Sequence, residues 1–402
     1  MNPIRVDVAI VGGAMVGTTL ALLLARRAHI DANRIAVIEP VPAAAPLPGS
    51  PFELRVSAMS PGNRAVLNDL AVWQRLDASR IANYESMRVW HESVPPDSPD
   101  VLRFDAAEAG EPDLGSIVEN SALQAALLKH CAEEGVRVFP HALRALDVDT
   151  AAATLHLDGT QIVAELVVGA DGAASTVRQL TGMHADSREY GQRAIVATVR
   201  GERSHGHAAW QRFLSTGPLA LLPLPGDACS IVWSAVNDRA DQLLALTPAA
   251  FEAELTAASA HVLGALRLTS QRAAFPLRRL VAQEYVRQRV ALVGDAAHVI
   301  HPLAGQGVNQ GLEDAIALSE ALAQRPARES PGALAALLRF QRERRAGNAL
   351  VTATVDSLDL LFTGAGPLRA WVAAAGMGLV AQARPARSFL VRQAAGRSLP
   401  RR

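Results

Sequence analysis

Cysteine, lysine and aromatic side chains are scarce in this sequence, and each shortage closes a route. Only two cysteines occur in 402 residues, Cys131 and Cys229, far apart and without metal-ligand spacing. Neither a disulfide framework nor a thiolate metal centre is expected, no metal site is assigned, and a reducing cytosol suits the chain. Lys129 is the single lysine, so arginine carries nearly all the positive charge. Basic and acidic residues balance at 39 each, which leaves no net field to attract nucleic acid. No apolar run approaches the roughly 18–20 residues that a membrane span needs. The N-terminus enters a strand pattern at once, so no signal peptide is expected. What is abundant is hydrophobic side chain, 50% of the total against 19% charged. That supports a large core, in two or three domains or in one domain with a second interleaved.

Glycine marks three places where apolar strands stop. Val6–Val11 is a short apolar strand; Gly12-Gly13-Ala14-Met15-Val16-Gly17 follows, then a helix of good formers to Arg27, then the strand Ile35–Ile38 ending in Glu39. This is the βαβ arrangement that binds dinucleotides: a glycine turn, a helix N-terminus for pyrophosphate, and an acid for ribose hydroxyls. Ala14 stands where the pattern G-x-G-x-x-G has its second glycine, which tightens the site by one methyl group. Leu166-Val167-Val168 ends in Gly169-Ala170-Asp171-Gly172, with Ser175 and Arg178 opening a helix. The third place organises the rest: Ala291-Leu292-Val293 ends in Gly294-Asp295, and His301-Pro302-Leu303-Ala304-Gly305-Gln306-Gly307-Val308-Asn309 leads into a helix from Val308 to Ala323. Gly305 and Gly307 let amide groups approach a ligand, and the helix start offers free N–H groups and a positive dipole end. Asp295, at a strand's carboxyl end, can accept from sugar or ribityl hydroxyls, although an acid there can also simply cap a turn.

Between these lie elements of a second kind. Met87–Trp90, Val101–Phe104, Arg193–Arg200, Leu219–Leu224 and Cys229–Val236 alternate as half-exposed strands do, with Trp210 and Phe213 before the fourth of these. They predict an antiparallel sheet, with helices around residues 248–266, that walls an apolar pocket against the first domain. Asn120–Glu134 reads as a helix returning the chain to that domain. Arg55 follows the nucleotide unit and is a candidate for phosphate or flavin. A helix is predicted over Leu334–Val355. After Asp359 no acid remains, while seven arginines from Arg369 to Arg402 stand among Leu, Trp, Val and Ala. Such a tail either lies on an anionic membrane surface or packs on the body with a solvated Arg face.

Taken together, these motifs resemble the class A flavoprotein monooxygenases over nearly the whole chain. The phrases Asp295–His298, His301–Asn309, Ile117–Asn120 and Phe275–Leu277 are similar to the ubiquinone-biosynthesis hydroxylases that act on polyprenylated phenols. Ile231–Ser234 and Val391–Ala394 lean towards members that hydroxylate 2-polyprenylphenol. Ala14, Ala174 beside Ser175, and Gln310 depart from the family pattern, and Gln310 bears on the pocket. The resemblance implies an α/β fold. A Rossmann-like FAD domain (1–75, 120–186, 275–335) is interleaved with a substrate domain on an antiparallel sheet (76–119, 187–274), and a C-terminal helical region (336–402) follows. It implies FAD held by Gly12, Gly13, Ala14, Gly17, Glu39, Arg55, Gly294 and Asp295, with Pro302, Gly305, Gln306, Gly307, Val308 and Asn309 against the isoalloxazine. Asp171 and Arg178 would link FAD to the route of NADPH or NADH. Reduced flavin and O2 would form a C4a-hydroperoxide that hydroxylates the ring. No catalytic base is assigned; His298 and His301 are the nearest histidines, and a structural role is favoured for both. The implied setting is the cytoplasm, with attachment through the Arg-rich tail to the inner membrane face or to a quinone-biosynthesis complex. A non-oxygenating flavin reductase of the same fold, and a FAD-bearing assembly partner of minor activity, are the alternatives.

Overall fold

In a computed structural model, residues 3–47, 49–299 and 306–362 are described, with side chains as far as 349 except at 109 and 306. His301, Pro302, Gly305, the side chain of Gln306 and the tail after Phe362 lie outside the described residues.

The core of the molecule is a sheet whose central strands are parallel: Val290–Leu292, Thr160–Gly169, Ile4–Val11, Ile35–Ile38 and Arg137–Phe139, in that spatial order. All four residues of Ile35–Ile38 are buried, as expected when both faces of a parallel sheet are covered. The helices Met15–Arg27, Asn120–Glu133 and Gln306–Ala323 contribute Leu20, Leu23, Leu127, Leu318 and Leu322 to the same core. The first strand lies mid-sheet, and the chain departs from it in both directions, to Ile35–Ile38 on one side and Thr160–Gly169 on the other. In open α/β sheets that reversal leaves a crevice at the carboxyl ends of the strands.

The second sheet carries the antiparallel pattern. Its backbone is Ala185–Gly201, flanked by Ala273–Ala282 and Ala228–Val236, with Gly217–Pro223 and Ala208–Leu214 beyond. One face bears Ile195, Ala197, Val199, Ile231, Trp233, Leu219 and Leu221, which pack on Leu243, Phe251 and Leu255 of two covering helices. A separate three-stranded sheet, Val56–Met59, Gly115–Glu119 and Ala82–Tyr84, presses Ala58, Ile117 and Ala82 against Leu224 and Ala228.

Several details differ from the sequence reading. Trp210 and Phe213 do not merely precede a strand; they lie in one of their own, Ala208–Leu214, which pairs parallel with Ser86–His91. The helix Asn237–Ala245, absent from that reading, begins without a side-chain cap, and Asp238 in its first turn is its start signal. The boundary placed at 275 falls inside the strand Ala273–Ala282, which runs beside Ala185–Gly201 for most of its length. The final described helix extends over Leu334–Phe362, seven residues past the predicted end at Val355.

Candidate active site

The register of the parallel sheet brings the three glycine motifs together. Ile38, Val11, Gly169 and Leu292 lie in one row across four strands, each paired with the next. Backbone hydrogen bonds carry the ladder one step further, from Gly12 N to Ile38 O (2.8 Å), Ala170 N to Val11 O (2.7 Å) and Val293 N to Gly169 O (2.9 Å). The loops holding Gly12–Ala14, Glu39, Asp171–Gly172 and Gly294–Asp295 therefore leave one edge side by side. Gly12 sits at φ +107°, and a Cβ there would lie 2.2 Å from Ala170 O. A Cβ on Gly17 would lie 2.0 Å from Gly12 O, so the helix can back onto the loop only as glycine.

The N-terminus of Met15–Arg27 is open. Its cap residue, Ala14, makes no side-chain capping bond, and no acid occupies the first turn. Its first amides and the positive dipole end are available to an anion. Glu39 is half-buried beside it; one oxygen accepts from Gly13 N–H at 2.8 Å and the other from Val41 N–H at 3.0 Å. A carboxylate has lone pairs to spare after two bonds, so Glu39 is positioned by the turn without being used up.

Asp295 is open to solvent although protein surrounds it on most sides. Desolvation pushes its carboxyl above the usual range, against the pull of His298, Arg55 and Arg278. Among the described residues it accepts no hydrogen bond. Arg55 is exposed, with its guanidinium 5.8 Å from the Phe275 ring centroid. At Gly307 an added Cβ would meet nothing within 4 Å among the described residues. An uncapped helix start, an accessible and unsatisfied carboxylate, and open space beside a glycine at a second helix start fit a flavin dinucleotide.

Asp171 and Arg178 are placed differently from Asp295. Asp171 accepts from Ser175 Oγ (2.5 Å), Thr176 N (2.6 Å) and Val177 N (3.1 Å), so it holds the first two amides of the helix Thr176–Leu180, whose N-cap is Ser175. Burial pushes its carboxyl up, and these bonds oppose the rise. Arg178 is buried and donates to Ala296 O (2.7 Å) and Ala173 O (2.8 Å), tying the Asp171 loop to the Asp295 loop. Asn309 is likewise engaged: its side chain donates to Ala58 O (2.7 Å) and accepts from Ser60 N (3.0 Å) and Asn63 Nδ2 (3.0 Å). These three residues are engaged within the protein, while Asp295 is exposed and the start of Met15–Arg27 is uncapped. Val308 is half-buried next to Asn309.

His298 is buried, with Nε2 donating to Asp314 Oδ2 at 2.6 Å and its ring stacked on Tyr285, centroids 5.9 Å apart. Asp314, fully buried, also accepts from Gly294 N (2.9 Å) and Arg344 Nε (2.7 Å). Burial pushes Asp314 up, but His298 and Arg344 outweigh it and hold the carboxyl below its ordinary value. Gln310 faces this cluster, its Oε1 accepting from Arg344 at 3.1 Å. Sequence reasoning passed over Asp314, Arg344 and Asn348. Their one signal was a polar residue on an apolar helical stripe: Asp314 between Leu312, Ala315 and Leu318, and Arg344 in line with Leu337 and Phe340.

Comparison with known proteins agrees with this geometry. A family model described as FAD binding domain matches residues 5–354. A ubiquinone hydroxylase, UbiL, of Rhodospirillum rubrum is 38% identical over 396 residues, 97% of this chain and 89% of its own length. The 3-demethoxyubiquinol 3-hydroxylase of Escherichia coli is 37% identical, covering 89% of each chain. The human ubiquinone biosynthesis monooxygenase COQ6 is 32% identical over 91% of this chain and 88% of its own. Among solved structures, p-nitrophenol 4-monooxygenase PnpA of Pseudomonas putida superposes with a TM-score of 0.76 at 19% identity, covering 98% of this chain and all of its own, which shows a shared fold. The chain belongs to the FAD-binding family of flavoprotein aromatic hydroxylases, in the group of ubiquinone-biosynthesis monooxygenases.

Proposed function

We propose that this chain uses NAD(P)H and O2 to hydroxylate the aromatic ring of a polyprenylated quinone precursor, at a ring position later than that of 2-polyprenylphenol. The observation that carries the reading is the convergence of three loops, 170 to 172, 294 to 295 and 12 to 14 with Glu39, at one edge of the parallel sheet. The bound FAD supplies hydride acceptance and oxygen activation. The chain supplies the rest: the start of Met15–Arg27 for pyrophosphate, Glu39 for ribose, Asp295 for the ribityl hydroxyls, and the start of Gln306–Ala323 for negative charge at the flavin ring.

The later ring position rests on the name of the relative at 37% identity, a 3-demethoxyubiquinol 3-hydroxylase. The phrase Ile231–Ser234 that leaned towards 2-polyprenylphenol has weak discriminating power, because Ile231 and Trp233 are core residues packed towards Phe251. Val391–Ala394 lies outside the described residues. The acid-free tail from 363 onward is proposed to bind anionic lipid, where a polyprenylated substrate resides. No helix among the described residues is long and apolar enough to cross a membrane.

The test is oxygen uptake by the FAD-loaded protein with NADPH or NADH and a panel of short-tailed precursors, followed by mass spectrometry under 18O2. The reading expects 18O in a later-stage substrate. Incorporation only into 2-polyprenylphenol moves the ring position, and flavin reduction without incorporation replaces the hydroxylase by a reductase. Cosedimentation with anionic vesicles, compared with a chain ending at Phe362, tests the tail.

A further inference from the structure

Arg344 lies on the last described helix, far from the glycine loops in sequence, and touches none of the residues proposed to meet FAD directly. We propose that Arg344 is a positioning residue for the flavin: acting through Asp314, it fixes the Gly294–Asp295 turn and His298 behind it. The inference rests on the FAD reading of the cleft.

The chain of contacts is short. Asp314 is a fully buried carboxylate on the helix Gln306–Ala323. One of its oxygens, Oδ2, accepts from Gly294 N (2.9 Å) and His298 Nε2 (2.6 Å); the other, Oδ1, accepts from Arg344 Nε (2.7 Å). Gly294 is the residue before Asp295 and sits at φ +59°, a conformation its surroundings must hold. The turn closes with Ala297 N donating to Gly294 O at 2.8 Å. His298 follows and is clamped between Asp314 and the Tyr285 ring. Arg344 further donates to Gln310 O (3.3 Å), Gln310 Oε1 (3.1 Å) and Asn348 Oδ1 (2.9 Å), and Asn348 reaches Tyr285 Oη at 3.4 Å. The Gly294–Asp295 turn and His298 therefore hang from one buried anion, and Arg344 is its guanidinium partner.

The physics gives that partner a specific consequence. A buried carboxylate that loses its cation is left uncompensated, and it responds by taking up a proton or by letting water in. Either response weakens its acceptance from Gly294 N–H and frees the turn that aims Asp295. The loss falls on cofactor geometry first, because Asp314 holds the turn and not the sheet beneath it.

Three variants separate this from general loosening of the helix. Arg344→Met removes charge and fork together; Arg344→Lys keeps the charge and loses the fork. Phe340→Ala opens a cavity in the core one turn away, on the same helix, and removes none of the hydrogen bonds of the cluster. FAD affinity is measured by quenching of flavin fluorescence, the visible flavin spectrum is recorded for each, and amide exchange at Gly294 and Ala297 is followed in the FAD-free protein. Arg344→Met should weaken FAD binding about tenfold or more and alter the spectrum. Arg344→Lys should recover part of the affinity, and Phe340→Ala should lower stability while leaving affinity within about twofold. Exchange at Gly294 should quicken in the Arg344 variants and not in Phe340→Ala. Should Arg344→Met fail to fold, Arg344→Lys carries the test against Phe340→Ala. The proposal is overturned if Phe340→Ala weakens FAD as much as the Arg344 variants do, or if Arg344→Lys binds FAD like wild type with unchanged exchange. A wild-type protein that binds no FAD would instead refute the underlying reading, and the exchange comparison would still decide whether Arg344 holds the turn.

Discussion

Replacing Gly307 by alanine separates what the fold needs from what the cofactor needs. Gly307 stands in the first turn of Gln306–Ala323, outside the left-handed region, and its added methyl group would meet no described atom within 4 Å. Among the described residues nothing gives a reason for glycine there. Alanine narrows the unfolded ensemble and suits a helix, so the FAD-free variant should gain on the order of 0.4–1 kcal/mol. If that open space is where flavin meets the backbone, the same methyl overpacks the loaded protein by about 1–3 kcal/mol. That corresponds to a rise of about fivefold to 150-fold in the FAD dissociation constant. Urea unfolding of FAD-free protein and a fluorescence titration with FAD measure the two effects separately. A variant that binds FAD as tightly as wild type refutes the placement of the isoalloxazine beside Gly307. A FAD-free variant less stable than wild type refutes the claim that the fold leaves this position free. Gly17→Ala is the contrasting case: its methyl would sit 2.0 Å from Gly12 O, so stability and binding should fall together.

Further outcomes are expected elsewhere. Asp295→Asn should weaken FAD retention and yet stabilise the FAD-free protein at neutral pH. Its carboxyl is raised by desolvation, so ionised Asp295 costs stability above its folded pKa. The advantage of Asn should vanish as pH falls below the ordinary carboxylate range, where Asp is protonated both folded and unfolded; thermal unfolding across pH checks the sign. Arg80→Met should lose about 3–5 kcal/mol in urea unfolding, because it strands the buried Glu119 carboxylate that Arg80 grips with two nitrogens, at 2.6 and 2.7 Å. Burial pushes the Cys131 and Cys229 thiols up to about 12, so a thiol reagent should label neither until the protein unfolds; fast labelling at pH 8 would contradict their environment.

The parts of the site that were legible in the sequence share a cause. Gly12, Gly172 and Gly294 all take positive φ at the ends of apolar strands, so glycine and hydrophobicity mark the same points. The parallel strands read as continuous apolar runs because both faces are covered. The remainder was hidden for definite reasons. The strand Ala208–Leu214 takes a parallel neighbour, Ser86–His91, from more than a hundred residues earlier, and alternation fixes a strand without naming its partner. In the sequence Asp171 is either a ligand or a plain turn residue, and only its bonds to residues 175–177 show it held by the start of a helix. The cluster around Asp314 depends on residues from three separated segments, 285, 294 to 298 and 344 to 348, whose meeting no local pattern records.

Asn309 bridges to Ala58, Ser60 and Asn63, neighbours separated from it by about 250 positions of chain. The strand Val290–Leu292 likewise slots beside one that was synthesised long before it. On the ribosome, then, the early segments wait with a half-walled hollow until the last quarter of the polypeptide emerges. A product whose translation stops short of residue 309 would hold every glycine of the first two loops and lack the Asn309 bridge, so on this reading of the site prosthetic-group loading follows the emergence of residue 309.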